Sequence, residues 1–554
     1  MKFHRRFKSL AASLALAVTS PELFATTLIH NVKGYHTTDN ALVQFDALAF
    51  DDGKVLATGK SSALMKKFPS AKKIDGKGRT LLPGLIDAHG HVLSQGLLEN
   101  QLELRDLGLK ETLAAIQQYA EKLEPGQWLQ GRGWNQVLWP GKQFPTRKQL
   151  DALEIDHPIW LRRVDGHAGW ANSKALELAG IDRNTHSPAG GEIHHLENGE
   201  PSGVLIDNAM ALVEQVIPAP SLQEKKAALV QAFELALSLG LTGIHDAGVD
   251  RETLTAYKQL AQEDALPLRV YPMISAADKH LPQLLDGGHI GAPQDRLYVR
   301  SIKLYTDGAL GSRGAALLEP YHDRPGEKGL LLYPESDFHQ LLELAIDKGF
   351  QVNVHAIGDR ANQLVLDHLK TLDKKKDQTP YRHRIEHAQV LRVEDIARFP
   401  ELNLIASMQP IHATSDKNMA GDRLGNERLD GAYAWRKFLD QGTRIAAGSD
   451  FPVEPVNPLF GIHAAVTRRD RSGQPATGWR IQEAMTQEEA LRAFTLDAAY
   501  ASHQEQVIGN LEPGKLADFI LLERDIFTID PQEIWQVRVA ETWVEGKSVF
   551  QRRQ

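Results

Sequence analysis

From about residue 220 to residue 450 the chain alternates between stretches whose apolar residues recur with helical period and short runs that are apolar throughout, often with a glycine at the junction. Strands buried on both faces lose the in–out alternation of an exposed sheet, so the pattern predicts helices alternating with the strands of a parallel sheet. Ser221 and Glu224 have capping-box spacing ahead of a helix that runs to Leu239; Gly240 ends it, and Leu241 to His245 form a strand. The plan repeats with a helix over Phe338 to Lys348, Gly349 and a strand over Phe350 to His355. It repeats again with Tyr433 to Gln441, Gly442 and Arg444 to Ala447. Further strands are expected at Leu81 to Asp87, Leu268 to Ile274, Val299 to Tyr305, His383 to His387 and Leu402 to Met408. Together they nearly complete a ring, so the predicted fold class is α/β, with a (β/α)8 TIM barrel over residues 81–504. The gap after the first strand is too long for one βα unit, so an insertion at about residues 95–220 is expected above the barrel, roofing its pocket.

The two ends have another texture. Thr26 to Thr80 reads as short strands and turns, punctuated by Asp52-Gly53, Asp75-Gly76 and Lys77-Gly78. After Gly509, Leu516 to Leu522, Val537 to Trp543 and Ser548 to Phe550 read the same way. Neither stretch can bury a core alone, so residues 26–80 and 505–554 are expected to form one small β-sandwich from both termini.

Before Thr26 lies a different pattern. Lys2, Arg5, Arg6 and Lys8 precede an apolar run from Leu10 to Val18, followed by Pro21 and the small Ala25. Residues 1–25 therefore read as a secretory signal peptide cleaved after Ala25, which predicts a periplasmic or secreted protein. The run is too short to span a bilayer, and no later segment is apolar enough, so no membrane span is expected in the mature chain. With 42% hydrophobic and 24% charged residues the composition is that of a folded globular protein. A net charge of −8 without a dense basic stripe argues against a nucleic-acid partner. There are no cysteines, which excludes disulfides and thiol catalysis. A homo-oligomer stays open.

The chemistry gathers at strand ends. The apolar run Leu81-Leu82-Pro83-Gly84-Leu85-Ile86-Asp87 leads into Ala88-His89-Gly90-His91. Side chains two apart on a strand share a face, so both imidazoles can bind one metal. Lys303, His355, His387 and Asp450 each terminate another apolar strand. In a barrel this placement on five separate strands aims every group at the same mouth. Trp134, Asn135, His167 and Arg313, in glycine-containing segments near strand ends or in the insertion, are candidates for lining the substrate pocket; packing of the insertion accounts for the tryptophans equally well. His245 and Asp246 read as a hydrogen-bonded strand end rather than a further ligand pair, and His194-His195 and Arg468-Arg469 as solvated loop residues.

On Pro83-Gly84-Leu85-Ile86-Asp87-Ala88-His89-Gly90-His91, Lys303, His355, His387 and Gly448-Ser449-Asp450, the chain resembles the amidohydrolase superfamily, specifically the amidohydrolase-3 branch that includes N-substituted formamide deformylases. The resemblance spans roughly residues 26–550. It implies His89 and His91 on one metal, His355 and His387 on a second, Asp450 beside the nucleophile, and Lys303 as a bridging N6-carboxylysine. A protonated ammonium has no lone pair for a cation, whereas the carbamate formed with CO2 offers two oxygens. Two divalent ions, with zinc favoured by imidazole and carboxylate donors, would trap a bridging hydroxide that attacks the carbonyl of a small amide-type substrate while Asp450 carries its proton to the departing nitrogen. Two alternatives stay open: the same metal pair acting on a cyclic amide, carbamate or ester, and a non-catalytic binding or regulatory protein on a barrel scaffold.

Overall fold

The computed structural model describes residues 26–39, 41–375 and 377–553, so the signal segment expected at residues 1–25 lies outside the described residues. Eight parallel strands form the central sheet: β1 (Leu85–Gly90), β2 (Leu241–Val249), β3 (Arg269–Ser275), β4 (Ser301–Tyr305), β5 (Gln351–Ala356), β6 (Arg384–His387), β7 (Ile405–Met408) and β8 (Ile445–Ala447). They pair in sequence order from β1 to β8, and a parallel bridge between Gly90 and Phe451 joins the last to the first. Two backbone hydrogen bonds seal that seam, from Asp450 N to His89 O at 2.7 Å and from His91 N to Phe451 O at 2.8 Å. The predicted barrel is therefore present, and its strands are buried, as their apolar runs require.

Most of the predicted elements fall within a few residues of their expected places. The helix Leu222–Ser238 starts at the capping box, with Ser221 N donating to Glu224 Oε2 at 2.7 Å. Two boundaries moved for physical reasons. The expected strand Leu81 to Asp87 is cut at Gly84: Thr80–Pro83 joins the terminal sheet, and β1 begins afresh at Leu85. A Cβ on Gly84 would lie 2.1 Å from Thr242 Oγ1, so only glycine lets the chain step between the two sheets there. The helix expected from Tyr433 starts at Trp435 instead, because Tyr433 has a φ of 51° that no right-handed helix contains.

The ends of the chain meet as expected. Thr80–Pro83 lies between Thr27–Thr37, its parallel partner, and Phe519–Leu522, its antiparallel partner. Leu42–Asp51 and Phe519–Leu522 are three strand steps apart in this sheet, about 14 Å if it were flat. Yet the rings of Phe50 and Phe519 lie 5.6 Å apart, and Phe519 stacks on Trp543 at 5.2 Å. The sheet therefore folds onto itself and encloses an aromatic core, which is the sandwich.

Between β1 and β2 the insertion forms a second sheet of six strands, running from Leu102–Glu103 to Pro201–Asp207. Its own core contains Trp134, Trp139 and Trp170. Two readings are corrected here. His194 and His195 lie on the edge strand Gly191–His195, not in a loop. Arg468 is buried, donating to the Tyr433 and Trp479 carbonyls with its guanidinium 4.1 Å from the Trp435 ring, so it is a packing residue rather than a solvated one.

Candidate active site

All six residues expected at the barrel mouth meet there. His89 is the penultimate residue of β1 and His91 follows the strand; Lys303 sits on β4, His355 on β5, His387 ends β6, and Asp450 lies three residues beyond β8. His387 and Asp450 have φ values of 72° and 61°, a left-handed backbone that is costly for such residues and that the surrounding hydrogen bonds must hold. For Asp450 that support is visible. Asp87 accepts from Ser449 Oγ at 2.6 Å, from Ser449 N at 3.1 Å and from His89 N at 3.0 Å, so one buried carboxylate fixes the ends of β1 and β8 together. A Cβ on Gly448 would lie 2.5 Å from His89 N and 2.6 Å from Asp87 Oδ1, which explains the glycine before Ser449 and Asp450.

Hydrogen bonds set which imidazole nitrogens face the centre. His91 Nδ1 lies 2.9 Å from the carbonyl of Ala247, which can only accept, so Nδ1 carries the proton and Nε2 the lone pair. His89 Nδ1 donates to Glu386 Oε2, and His387 Nδ1 to Gln409 Oε1 at 2.7 Å. Their Nε2 atoms are likewise left as donors to a metal. His355 is turned the other way: its Nε2 lies 3.5 Å from the Gly308 carbonyl, so Nδ1 is the nitrogen free of that contact.

The donor atoms converge closely. His91 Nε2 and His89 Nε2 lie 3.0 and 3.6 Å from Asp450 Oδ1, and Lys303 Nζ lies 3.1 Å from His89 Nε2. Ligand atoms bound at about 2.0–2.1 Å to one ion stand about 3 Å apart, so the spacing fits a cation. Without one, the contact between His91 Nε2 and Asp450 Oδ1 would need a second proton on a ring that already donates to Ala247. His89, His91 and Asp450 form one candidate metal group, and His387, His412 and Asp450 a second. The His355 ring packs on His387 with centroids 4.6 Å apart.

The electrostatics agree with metal binding. Burial, and then the charge of Lys303, hold His89 well below the usual imidazole range. Burial also lowers His355 and His387, each reinforced by a neighbouring histidine, so these rings are neutral and can ligate. Burial pushes the Lys303 ammonium down to about 8, although Glu386 and Asp450 pull the other way.

Several functional groups carried too little sequence signal to be singled out. Glu386, which fixes His89, is paired with the fully buried Arg384 at 2.8 Å. Arg384 also donates to Ala88 O at 2.6 Å and Ser407 Oγ at 2.7 Å and contacts His245 Nδ1 at 3.0 Å. His245 is thus hydrogen-bonded, as its strand-end position suggested. His412 lies four residues past β7, with its Nε2 3.7 Å from Asp450 Oδ2; only its position after an apolar strand hinted at it. Asp207 holds His167 through Nδ1 at 2.6 Å, and although burial acts to lower His167, that hydrogen bond and charge raise it.

Two chambers open onto the cluster. The first, of about 490 Å³, is lined by Asn135, His167, Ile411, His412 and Phe460 among others. The second, of about 410 Å³, includes His91, Arg132, Lys303, Tyr305 and Tyr333. His167, His355, His387 and Asp450 border both. Asn135 and His167 therefore stand where pocket residues were expected, while Trp134 and Arg313 line neither chamber. Trp134 is wholly buried in the insertion, its Nε1 donating to Leu161 O at 2.7 Å, because the strand's alternation turns it to the core. Arg313 is held by Asp323 at 2.8 Å.

A parallel barrel with a buried imidazole–carboxylate cage at the C-terminal ends of its strands defines a metal-dependent hydrolase. The sequence matches the amidohydrolase family over residues 72–550, and the chain belongs to that family. It is 32% identical to the protein LONG AFTER FAR-RED 3 of Arabidopsis thaliana, covering 96% of this chain and 93% of that one. It is 27% identical to an N-substituted formamide deformylase of Arthrobacter pascens, covering 87% of this chain and 91% of that one. The crystal structure of an uncharacterized metal-dependent hydrolase from Pyrococcus horikoshii superposes with a TM-score of 0.73 at 27% identity, covering 92% of this chain and 99% of that chain.

Proposed function

We propose that the chain is an exported, zinc-dependent amidohydrolase that cleaves a non-peptide carbon–nitrogen bond of the amide type in a small molecule. The observation that carries this reading is the convergence of lone pairs: the Nε2 atoms of His89 and His91 face Asp450 Oδ1 after both rings have committed their Nδ1 protons elsewhere. In the proposed arrangement His89, His91 and Asp450 would hold one ion and His355 and His387 another, and Lys303 as a carbamate would supply oxygen ligands. A lysine near pKa 8 reaches the neutral amine that reacts with CO2 far more readily than an ordinary one. Bound divalent ions supply Lewis acidity and lower the pKa of water toward about 7.

The chain's own groups do the rest. Asp450 accepts the proton of the attacking water and delivers it to the departing nitrogen. His167, oriented by Asp207 and bordering both chambers, donates a hydrogen bond to the substrate carbonyl oxygen. The insertion contributes Asn135, His167 and Arg132 to the walls of the chambers, which would hold the substrate over the cage. The name of the Arthrobacter relative makes N-substituted formamides the first compounds to try.

Protein purified without chelator should carry about two divalent ions per chain and hydrolyse N-formyl or N-acyl amines in a metal-dependent way. Metal-free protein, or no turnover across formamides, acyl amides, lactams and esters, would sink the reading. Export is tested separately by fractionation and N-terminal sequencing, with the mature chain expected to start at Thr26.

A further inference from the structure

Arg132 is a buried cation without a counter-ion. It lies on the insertion strand Leu129–Trp134, is 7% exposed, and lines the second chamber together with His91, Lys303 and Asp450. Among the described residues it forms no ion pair. Its one hydrogen bond runs from Nη2 to the Val164 carbonyl at 3.2 Å, and its Nε is buried with no partner. A guanidinium removed from water and left with one neutral acceptor is costly, and such groups are retained where a ligand completes them.

The cations around it have their own partners. Arg162 pairs with Glu214 at 2.7 Å, Arg163 with Asp165 at 2.5 Å, and Arg105 donates to the carbonyls of Pro452 and Val453. Arg105 thus has both Nη atoms hydrogen-bonded, though to neutral carbonyls, whereas Arg132 keeps donors without an acceptor, and a planar guanidinium of that kind suits a carboxylate. Gly166, at a φ of 77°, makes room for it, since a Cβ there would lie 3.0 Å from Arg132 Nη2. Burial, followed by the nearby charge of Arg162, lowers Arg132 only to about 10, so it remains cationic at neutral pH.

We infer that Arg132 is a specificity residue that receives a carboxylate of the substrate in the second chamber, so that the amide cleaved belongs to an acylated amino acid or a similar acid rather than to a neutral amine. This rests on the proposed amidohydrolase reading and narrows it: the scissile carbonyl would lie at the metal cage and the carboxylate on the Arg132 guanidinium, which lines the same chamber.

The test uses racemic N-acetylphenylalanine and its neutral carboxamide, N-acetylphenylalaninamide, titrated calorimetrically into the metal-loaded enzyme. The wild type should bind the acid about 10–100-fold more tightly than the carboxamide, the value of a charge-assisted hydrogen-bond pair. Arg132→Met should bring that ratio close to one, and Arg132→Lys should keep part of it, with metal content and circular dichroism confirming the fold. Equal affinities in the wild type, no binding of either probe at millimolar concentration, or a preference that survives in Arg132→Met would each overturn the inference. Should Arg132→Met not fold, the wild-type and Arg132→Lys ratios decide the matter. Hydrolysis of the two probes is followed in parallel: binding preference without turnover of either removes the reaction and keeps the carboxylate site, whereas turnover without preference removes the site and keeps the reaction.

Discussion

Glu386 accepts the Nδ1 proton of His89 from across the barrel, so a carboxylate on β6 decides which nitrogen of a β1 imidazole is free for metal. The same carboxylate neutralises Arg384, which is bound in turn to the β1 backbone at Ala88 and to Ser407 on β7. The ligand cage is thus tied to a buried polar network that spans the barrel interior.

Glu386→Gln should weaken metal binding by about 10–100-fold, because an amide no longer specifies the His89 tautomer or raises its basicity. Glu386→Ala should in addition lower stability by about 3–5 kcal/mol by stranding the Arg384 charge. Competition with a calibrated chelator reads the first effect and denaturant unfolding the second; unaltered metal affinity in Glu386→Gln would detach this carboxylate from the site.

Lys303→Ala should lose bound metal and activity together, and millimolar acetate or propionate should restore part of both by supplying the missing carboxylate oxygens. Full activity in Lys303→Ala without additives would remove the bridge from the mechanism.

Gly448→Ala places a methyl group against His89 N and the Asp87 carboxylate. The expected cost is about 1–3 kcal/mol of stability from overpacking, with a larger loss of kcat because His89 and Asp450 move together. Thermal unfolding alongside steady-state kinetics measures both, and normal kinetics would show that the seam adapts.

Trp134→Phe should behave as a packing variant. Loss of the hydrogen bond to Leu161 O removes about 1 kcal/mol, seen as a lower Tm, while KM stays within about twofold of wild type. A selective rise in KM would return Trp134 to the pocket.

Much of this site was legible in the sequence because strand ends write their chemistry locally. A histidine, lysine or aspartate that closes a wholly apolar run stands out against it, and barrel topology collects such positions at one mouth. The groups that orient those ligands were not legible in the same way. Glu386 stands in the sequence as one charge among 71 acidic residues, and its meaning comes from facing His89 across the barrel. His412 sits inside the short helix that follows its strand, and Arg132 has significance only because its neighbours have found partners and it has not. Trp134 and Arg313 were misread for the converse reason: proximity in sequence to glycine-rich segments says nothing of which way a side chain turns. The break at Gly84 was hidden because both halves of that run are equally apolar while belonging to different sheets.

The strand Thr80–Pro83, wedged between the earliest and the latest parts of the described chain, has a consequence for biogenesis. Its flank toward Phe519–Leu522 stays bare until more than four hundred further residues have been made, so the terminal sheet cannot close while synthesis is under way. Completion of that sheet therefore waits on Phe519–Leu522, and the whole barrel between its two halves must be made before it can close.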